Sequence, residues 1–134
     1  MKAGEYLAKT LEKGSIVAIE GPLGAGKTCF AKGIAAGLGI TEEVTSPTYT
    51  IISEYSGFLN QEKITVYHID AYRLRGNEDF SAIGGEEIVF GNGISIIEWS
   101  ERVIDFVPSA AIKVTIEIKK DNERFIRIYR KGNK

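Results

Sequence analysis

The chain of 134 residues has a single cysteine, no long apolar run and almost no net charge, formally −1. One cysteine, Cys29, excludes an internal disulfide and fits a reducing compartment. No apolar stretch approaches the roughly eighteen residues that a membrane span needs, and Lys2, Glu5, Lys9 and Glu12 interrupt any signal-peptide core near the start. The expectation is therefore a cytoplasmic protein with no membrane partner. Repeats and low-complexity tracts are absent too, and 43% hydrophobic with 26% charged residues is the composition of an ordinary globular chain. Its length suits a single domain over 1–134, with little room for a lid or a second substrate domain. The near-zero net charge also excludes a generally basic, polyanion-binding chain. The distribution is uneven, however: residues 70–110 carry eight acids against three Lys/Arg, and residues 111–134 carry eight Lys/Arg against three acids. Such a basic end suits RNA, nucleotide phosphates or an acidic partner, although a charge run is usually a solvated face.

What is present is a phosphate loop. Gly21-Pro22-Leu23-Gly24-Ala25-Gly26-Lys27-Thr28 fits G-x-x-x-x-G-K-[ST]. In that template glycines let backbone N–H groups wrap phosphate oxygens, the next helix adds its positive N-terminus, the lysine reaches the β/γ-phosphates and the hydroxyl meets Mg²⁺. The cradle is assigned to Gly21, Leu23, Gly24, Ala25, Gly26, Lys27, Thr28 and Cys29, which makes ATP or another nucleoside triphosphate the expected ligand. The flanks agree. Ser15 to Glu20 is a short apolar run that suits a buried parallel strand, and Phe30, Ala31, Ile34, Ala35 and Leu38 form one helical face, closed by Gly37 and Gly39 as breakers. Cys29, in the first turn, is expected to be a small packing residue; the helix dipole would favour its thiolate.

Further along, the pattern predicts a helix over Gly4–Lys13, a strand over Tyr49–Tyr55, a turn-rich link Ser56–Gln61 and a strand over Ile64–Asp70, the two strands forming a hairpin. Asn77–Glu87 reads as weak helix interrupted at Gly84-Gly85. Ile94–Trp99 reads as a buried strand, and Ile112–Ile118 with Arg124–Tyr129 as a second hairpin. The sum is an α/β protein with a mixed parallel and antiparallel central sheet flanked by helices, a three-layer fold like that of P-loop NTPases. In such sheets ligands collect at the carboxyl ends of the strands. Asp70 and Glu98 each end a strand there and are the candidate Mg²⁺ carboxylates, against the plain alternative of solvated strand ends. Thr48, after Pro47, is a candidate γ-phosphate sensor. Trp99 is expected to pack over a strand end or stack on a base, and His68 to be a hydrogen-bonded sheet residue.

Gly21 to Thr28, Ser46-Pro47-Thr48-Tyr49-Thr50, His68-Ile69-Asp70-Ala71-Tyr72-Arg73-Leu74 and Ile97-Glu98-Trp99-Ser100-Glu101 together resemble the TsaE family in order and spacing over nearly the whole chain. The resemblance implies an Mg²⁺-dependent ATPase needed for N6-threonylcarbamoyladenosine in ANN-decoding tRNAs, acting with the TsaD and TsaB proteins and touching tRNA indirectly or weakly. By motif it makes Lys27 the phosphate ligand, Thr28 and Glu98 the Mg²⁺ ligands, Asp70 the second acidic group and Thr48 the sensor. The resemblance also puts Trp99 near the nucleotide or partner face; outside the matched motifs, a C-terminal basic residue such as Arg130 is a candidate to assist base recognition. Pro22, Cys29 and Ser100 depart from residues common in the family. A small GTPase is excluded because no N-K-x-D motif occurs. A small nucleoside or nucleotide kinase, faintly suggested by Glu101-Arg102, and a non-catalytic nucleotide-gated adaptor are the alternatives.

Overall fold

In the computed structural model, residues 2–22, 26–41, 52–74, 76–120 and 123–130 are described. They build one six-stranded sheet in the order β2-β3-β4-β1-β5-β6. Strand β1 (Ile16–Glu20) is central, running parallel to β4 (Ile94–Glu98) on one side and β5 (Ile112–Ile118) on the other. Strand β3 (Glu62–Asp70) lies parallel to β4. The edges β2 (Ile52–Leu59) and β6 (Arg124–Tyr129) are antiparallel hairpin partners of β3 and β5. The mixed sheet expected from the sequence is the one found. Its β1 is covered on both faces, which is why it shows no polar alternation.

Period-two alternation sorts the side chains onto two faces. Val17 and Ile19 of β1, Ile64 and Val66 of β3 and Ile94 and Ile96 of β4 pack beneath helices α1 (Lys2–Ala8) and α2 (Lys27–Gly37), through Leu7, Phe30, Ile34 and Leu38. On the other face Ile16, Ile69 and Ile97 meet Phe80 and Val89 from α3 (Asn77–Ala82) and α4 (Gly85–Val89), and Val103 from the 3-10 segment Ser100–Phe106. The same parity puts His68, Asp70 and Glu98 on the α2 face. No helix among the described residues is long and apolar enough to cross a membrane.

Three local expectations change. The first helix stops at Ala8 rather than Lys13. Strand β2 continues through Ser56–Leu59, because its hairpin closes in a two-residue turn at Asn60 and Gln61, both at positive φ (52° and 72°) as a type I′ turn requires. Gly37 is not a breaker but the last residue of α2, where a side chain would stand 2.6 Å from Ala8 Cβ, so its role is close packing against α1. The stop comes from Gly39 at φ 76°: its N–H bonds the Ala36 carbonyl and Ile40 N–H bonds that of Ala35, a Schellman closure.

Candidate functional site

The loop between β1 and α2 brings the helix start to the carboxyl end of the central strand. Gly26 adopts the left-handed conformation (φ 102°) and no side chain caps α2, so the first backbone donors of this 11-residue helix are left to another acceptor. Leu23, Gly24 and Ala25 of the cradle lie outside the described residues, as does Thr48. Lys27 opens the helix with 5% of its surface exposed, and its ammonium donates to the carbonyls of Gly21 (2.7 Å) and Pro22 (2.8 Å). Burial pushes its pKa below the ordinary 10.5, while Glu98, Glu101 and Asp70 pull the other way with smaller effect. Trp99 lies across the same ammonium, with Nζ 4.0 Å from the ring centroid.

Glu98, the last residue of β4, is 2% exposed and therefore not a solvated strand end. A buried carboxylate is tolerated only with donors around it. Two are present: the Thr28 hydroxyl, which donates to Oε1 and Oε2 at 2.9 and 3.2 Å, and His68 Nε2, 2.5 Å from Oε2. Asp70 is paired in register with Glu98 on the neighbouring strand. Its Oδ1 accepts the Tyr72 N–H at 3.0 Å and caps the 3-10 turn Ala71–Arg73. Of the two expected carboxylates it is thus Glu98 that meets Thr28.

Immediately after Glu98 the backbone turns through Trp99 in the left-handed region (φ 59°, ψ 42°), a conformation that costs a side-chain-bearing residue about 1 kcal/mol or more. The turn lays the indole against Lys27 and Tyr72, the two rings 4.8 Å apart, and Arg102 covers the outer face of Tyr72 at 5.2 Å. Trp99 therefore packs over the strand end, one of its two expected roles.

Two residues stand elsewhere than expected. Cys29 is exposed on the first turn of α2 rather than packed in the core. Arg130 follows β6, whose antiparallel pairing returns the chain to the amino ends of β1 and β5, and there its guanidinium bonds Thr10 (2.8 Å to Oγ1). That end is separated from the phosphate loop by the length of a strand, roughly 17–20 Å, so Arg130 does not reach a nucleotide held there. His68 is the hydrogen-bonded sheet residue expected, but sequence reading did not foresee that its partner is Glu98. The available signal was its parity with Asp70, two residues on along one strand face.

No three His, Cys, Asp or Glu side chains among the described residues gather closely enough to cage a cation by themselves. One hydroxyl and one carboxylate, completed by phosphate and water, is a donor set that suits Mg²⁺. A central parallel strand feeding a glycine-rich loop and an uncapped helix, with a strand-end carboxylate held on the loop threonine, places the molecule in the P-loop NTPase-like class of α/β folds. Within that class the chain belongs to the TsaE family: the profile described as threonylcarbamoyl adenosine biosynthesis protein TsaE matches residues 1–126. It is similar to the tRNA threonylcarbamoyladenosine biosynthesis protein TsaE of Treponema pallidum, at 45% identity over 125 residues, covering 93% of this chain and 89% of that one. The Bacillus subtilis protein of the same name is 39% identical over 121 residues, covering 90% and 73%. The crystal structure of Bacillus subtilis YdiB superposes with a TM-score of 0.76 at 35% identity, covering 98% of this chain and 79% of that one. The family's role lies in tRNA threonylcarbamoyladenosine biosynthesis.

Proposed function

We propose that this protein binds ATP with Mg²⁺ at the carboxyl ends of β1 and β4 and hydrolyses it. Hydrolysis then drives turnover of a cytoplasmic TsaD–TsaB complex that forms N6-threonylcarbamoyladenosine in ANN-decoding tRNAs. The observation that carries this reading is the Thr28 hydroxyl 2.9 Å from Glu98 at the start of α2, directly behind a G-x-x-x-x-G-K-T loop. A loop threonine and a strand-end carboxylate are the pair that holds the cation in phosphate-loop NTPases. A cation bound there offsets the charge on the terminal phosphate oxygens. Lys27 contributes a positive charge shielded from water, where it counts for more than at the surface. Trp99 excludes solvent over that charge, and Asp70 adds a second negative group one strand away. Thr48 keeps its sensing role on the sequence alone.

Hydrolysis by the isolated chain is expected to be slow. Arg102, the arginine that follows the Glu98-Trp99 pair, donates to the Leu74 carbonyl at 3.3 Å and stacks on Tyr72 rather than facing the loop. An arginine supplied by a partner is worth about 10³ to 10⁵ in rate in comparable enzymes. Steady-state ATP turnover, measured with and without TsaD–TsaB, tests the proposal. Slow hydrolysis that rises with the complex and drops with Glu98→Ala supports it, and fast hydrolysis by the chain alone refutes the partner dependence. Nucleotide binding with no hydrolysis in either arm would instead make the protein a nucleotide-gated adaptor.

A further inference from the structure

His68 touches the site only through Glu98. It is 1% exposed, and the two side chains in contact are 2% and 3% exposed, so neither group has water to fall back on. The Glu98 carboxylate accepts the Thr28 hydroxyl, and His68 Nε2 faces its Oε2 at 2.5 Å as a second donor. The backbone fixes this pairing: β3 and β4 run in register with His68 opposite Ile96 and Asp70 opposite Glu98, so positions 68 and 98 are diagonal neighbours on one sheet face. Glu98 has three side-chain torsions, and its recorded donors are His68 and Thr28. With Oε2 held by His68, Oε1 is the oxygen nearer Thr28, at 2.9 Å against 3.2 Å. His68 also carries a cost, since its Nδ1 is buried with no partner among the described residues. An aliphatic side chain would fill the space without that orphan.

We infer that His68 is a positioning residue, whose Nε2–H locks Glu98 in the single orientation that meets the Thr28 hydroxyl and a divalent cation beside it. The part that concerns the cation rests on the proposed function; the orientation of Glu98 does not. The two are therefore measured separately in the full-length protein.

Three variants distinguish orientation from packing. His68→Gln can bring an amide N–H to the place of Nε2, His68→Asn brings one only to the place of Nδ1, and His68→Leu brings none. Calorimetric Mg²⁺ titration at fixed ATP is expected to show the Asn and Leu variants needing about 10- to 100-fold more Mg²⁺, the usual size of an outer-shell effect. The Gln variant should stay near the parent, and ATP binding in EDTA should be unchanged in all three. In ligand-free crystals of His68→Asn, Glu98 should leave hydrogen-bond distance of Thr28. Equal impairment of Gln and Leu, an unchanged Mg²⁺ requirement throughout, or Glu98 still seated on Thr28 in the Asn crystals would overturn the inference. Should the parent bind ATP without any Mg²⁺ dependence, the functional reading fails and the crystal result alone decides the role of His68.

Discussion

The two ends of the same parallel strands are built to different standards. At the carboxyl end the chain breaks ordinary rules within a few residues: a buried lysine, a buried glutamate, a histidine with an unpaired nitrogen and a tryptophan in the left-handed region. At the amino end the departures are milder: Asn60 and Gln61 take positive φ in an exposed hairpin turn and the Ser95 hydroxyl is buried without a partner, but no lysine, arginine, aspartate or glutamate is buried there among the described residues. Ile16, Ile94 and Ile112 begin their strands as core residues, and Arg130 is exposed on Thr10 beside an open 350 Å³ cleft lined in part by Ile104, Pro108, Lys113 and Tyr129. Both ends share one sheet and one core, so folding alone does not call for the difference. Strain and buried charge persist only where surrounding structure over-determines them, and they concentrate where a ligand is handled.

The largest effect should come from removing the charge at the centre of the costly end. Lys27→Ala deletes the buried ammonium proposed to bind phosphate, and charged hydrogen bonds are worth about 1.5–3 kcal/mol each, so Mg-ATP affinity is expected to fall about a hundredfold. Calorimetric titration measures it directly. Parent-like binding would dissolve the contrast between the two ends, because Lys27 would then be a buried charge with no use.

A smaller, pH-dependent effect follows from the same side chain. Burial lowers the folded pKa of Lys27, whereas the unfolded chain keeps the ordinary 10.5. Between the two values the unfolded state holds more protons, so the contribution of Lys27 to stability rises with pH across that window and is complete above 10.5; below the window the charged lysine costs stability. Relative to Lys27→Met, which has no such proton, the parent should gain stability as the pH is raised toward 10.5. Urea unfolding of both proteins across this range gives the slope. A falling difference would mean that Glu98, Glu101 and Asp70 outweigh desolvation at Lys27.

The contrast also explains what sequence reading reached and what it did not. Elements with a clean period were legible: β5 and β6 fall on the expected residues 112–118 and 124–129, and the break in the weak helix falls at Gly84-Gly85. The loop and its strand and helix were legible because phosphate binding fixes residue types at fixed spacing. Pairings across the sheet were not. That Glu98 rather than Asp70 meets Thr28 depends on which strand lies beside β1, and local pattern does not give strand order. His68 looked like a sheet residue because its partner lies thirty positions away. The continuation of β2 through Ser56–Leu59 was concealed, since a glycine reads as a turn; at Gly57 a Cβ would stand 2.9 Å from the Leu38 carbonyl, and the real constraint is the close approach of β2 to the end of α2.

The smallest predicted effect tests the quiet end. Arg130 was expected on the base side of the nucleotide, yet a hairpin that reverses direction carries it away from the loop that β1 feeds. Its recorded partners are the Thr10 hydroxyl at 2.8 Å and the Thr10 carbonyl at 3.5 Å, both at an exposed position. Arg130→Ala should therefore leave Mg-ATP affinity unchanged, and it should lower stability by no more than about 1 kcal/mol, the net worth of an ordinary hydrogen bond. Parallel calorimetry and thermal melts of parent and variant would separate these quantities. A marked loss of nucleotide affinity at unchanged stability would require the two ends of the sheet to communicate through β1 and β5, and the asymmetry in cost would then no longer mark the boundary of the site.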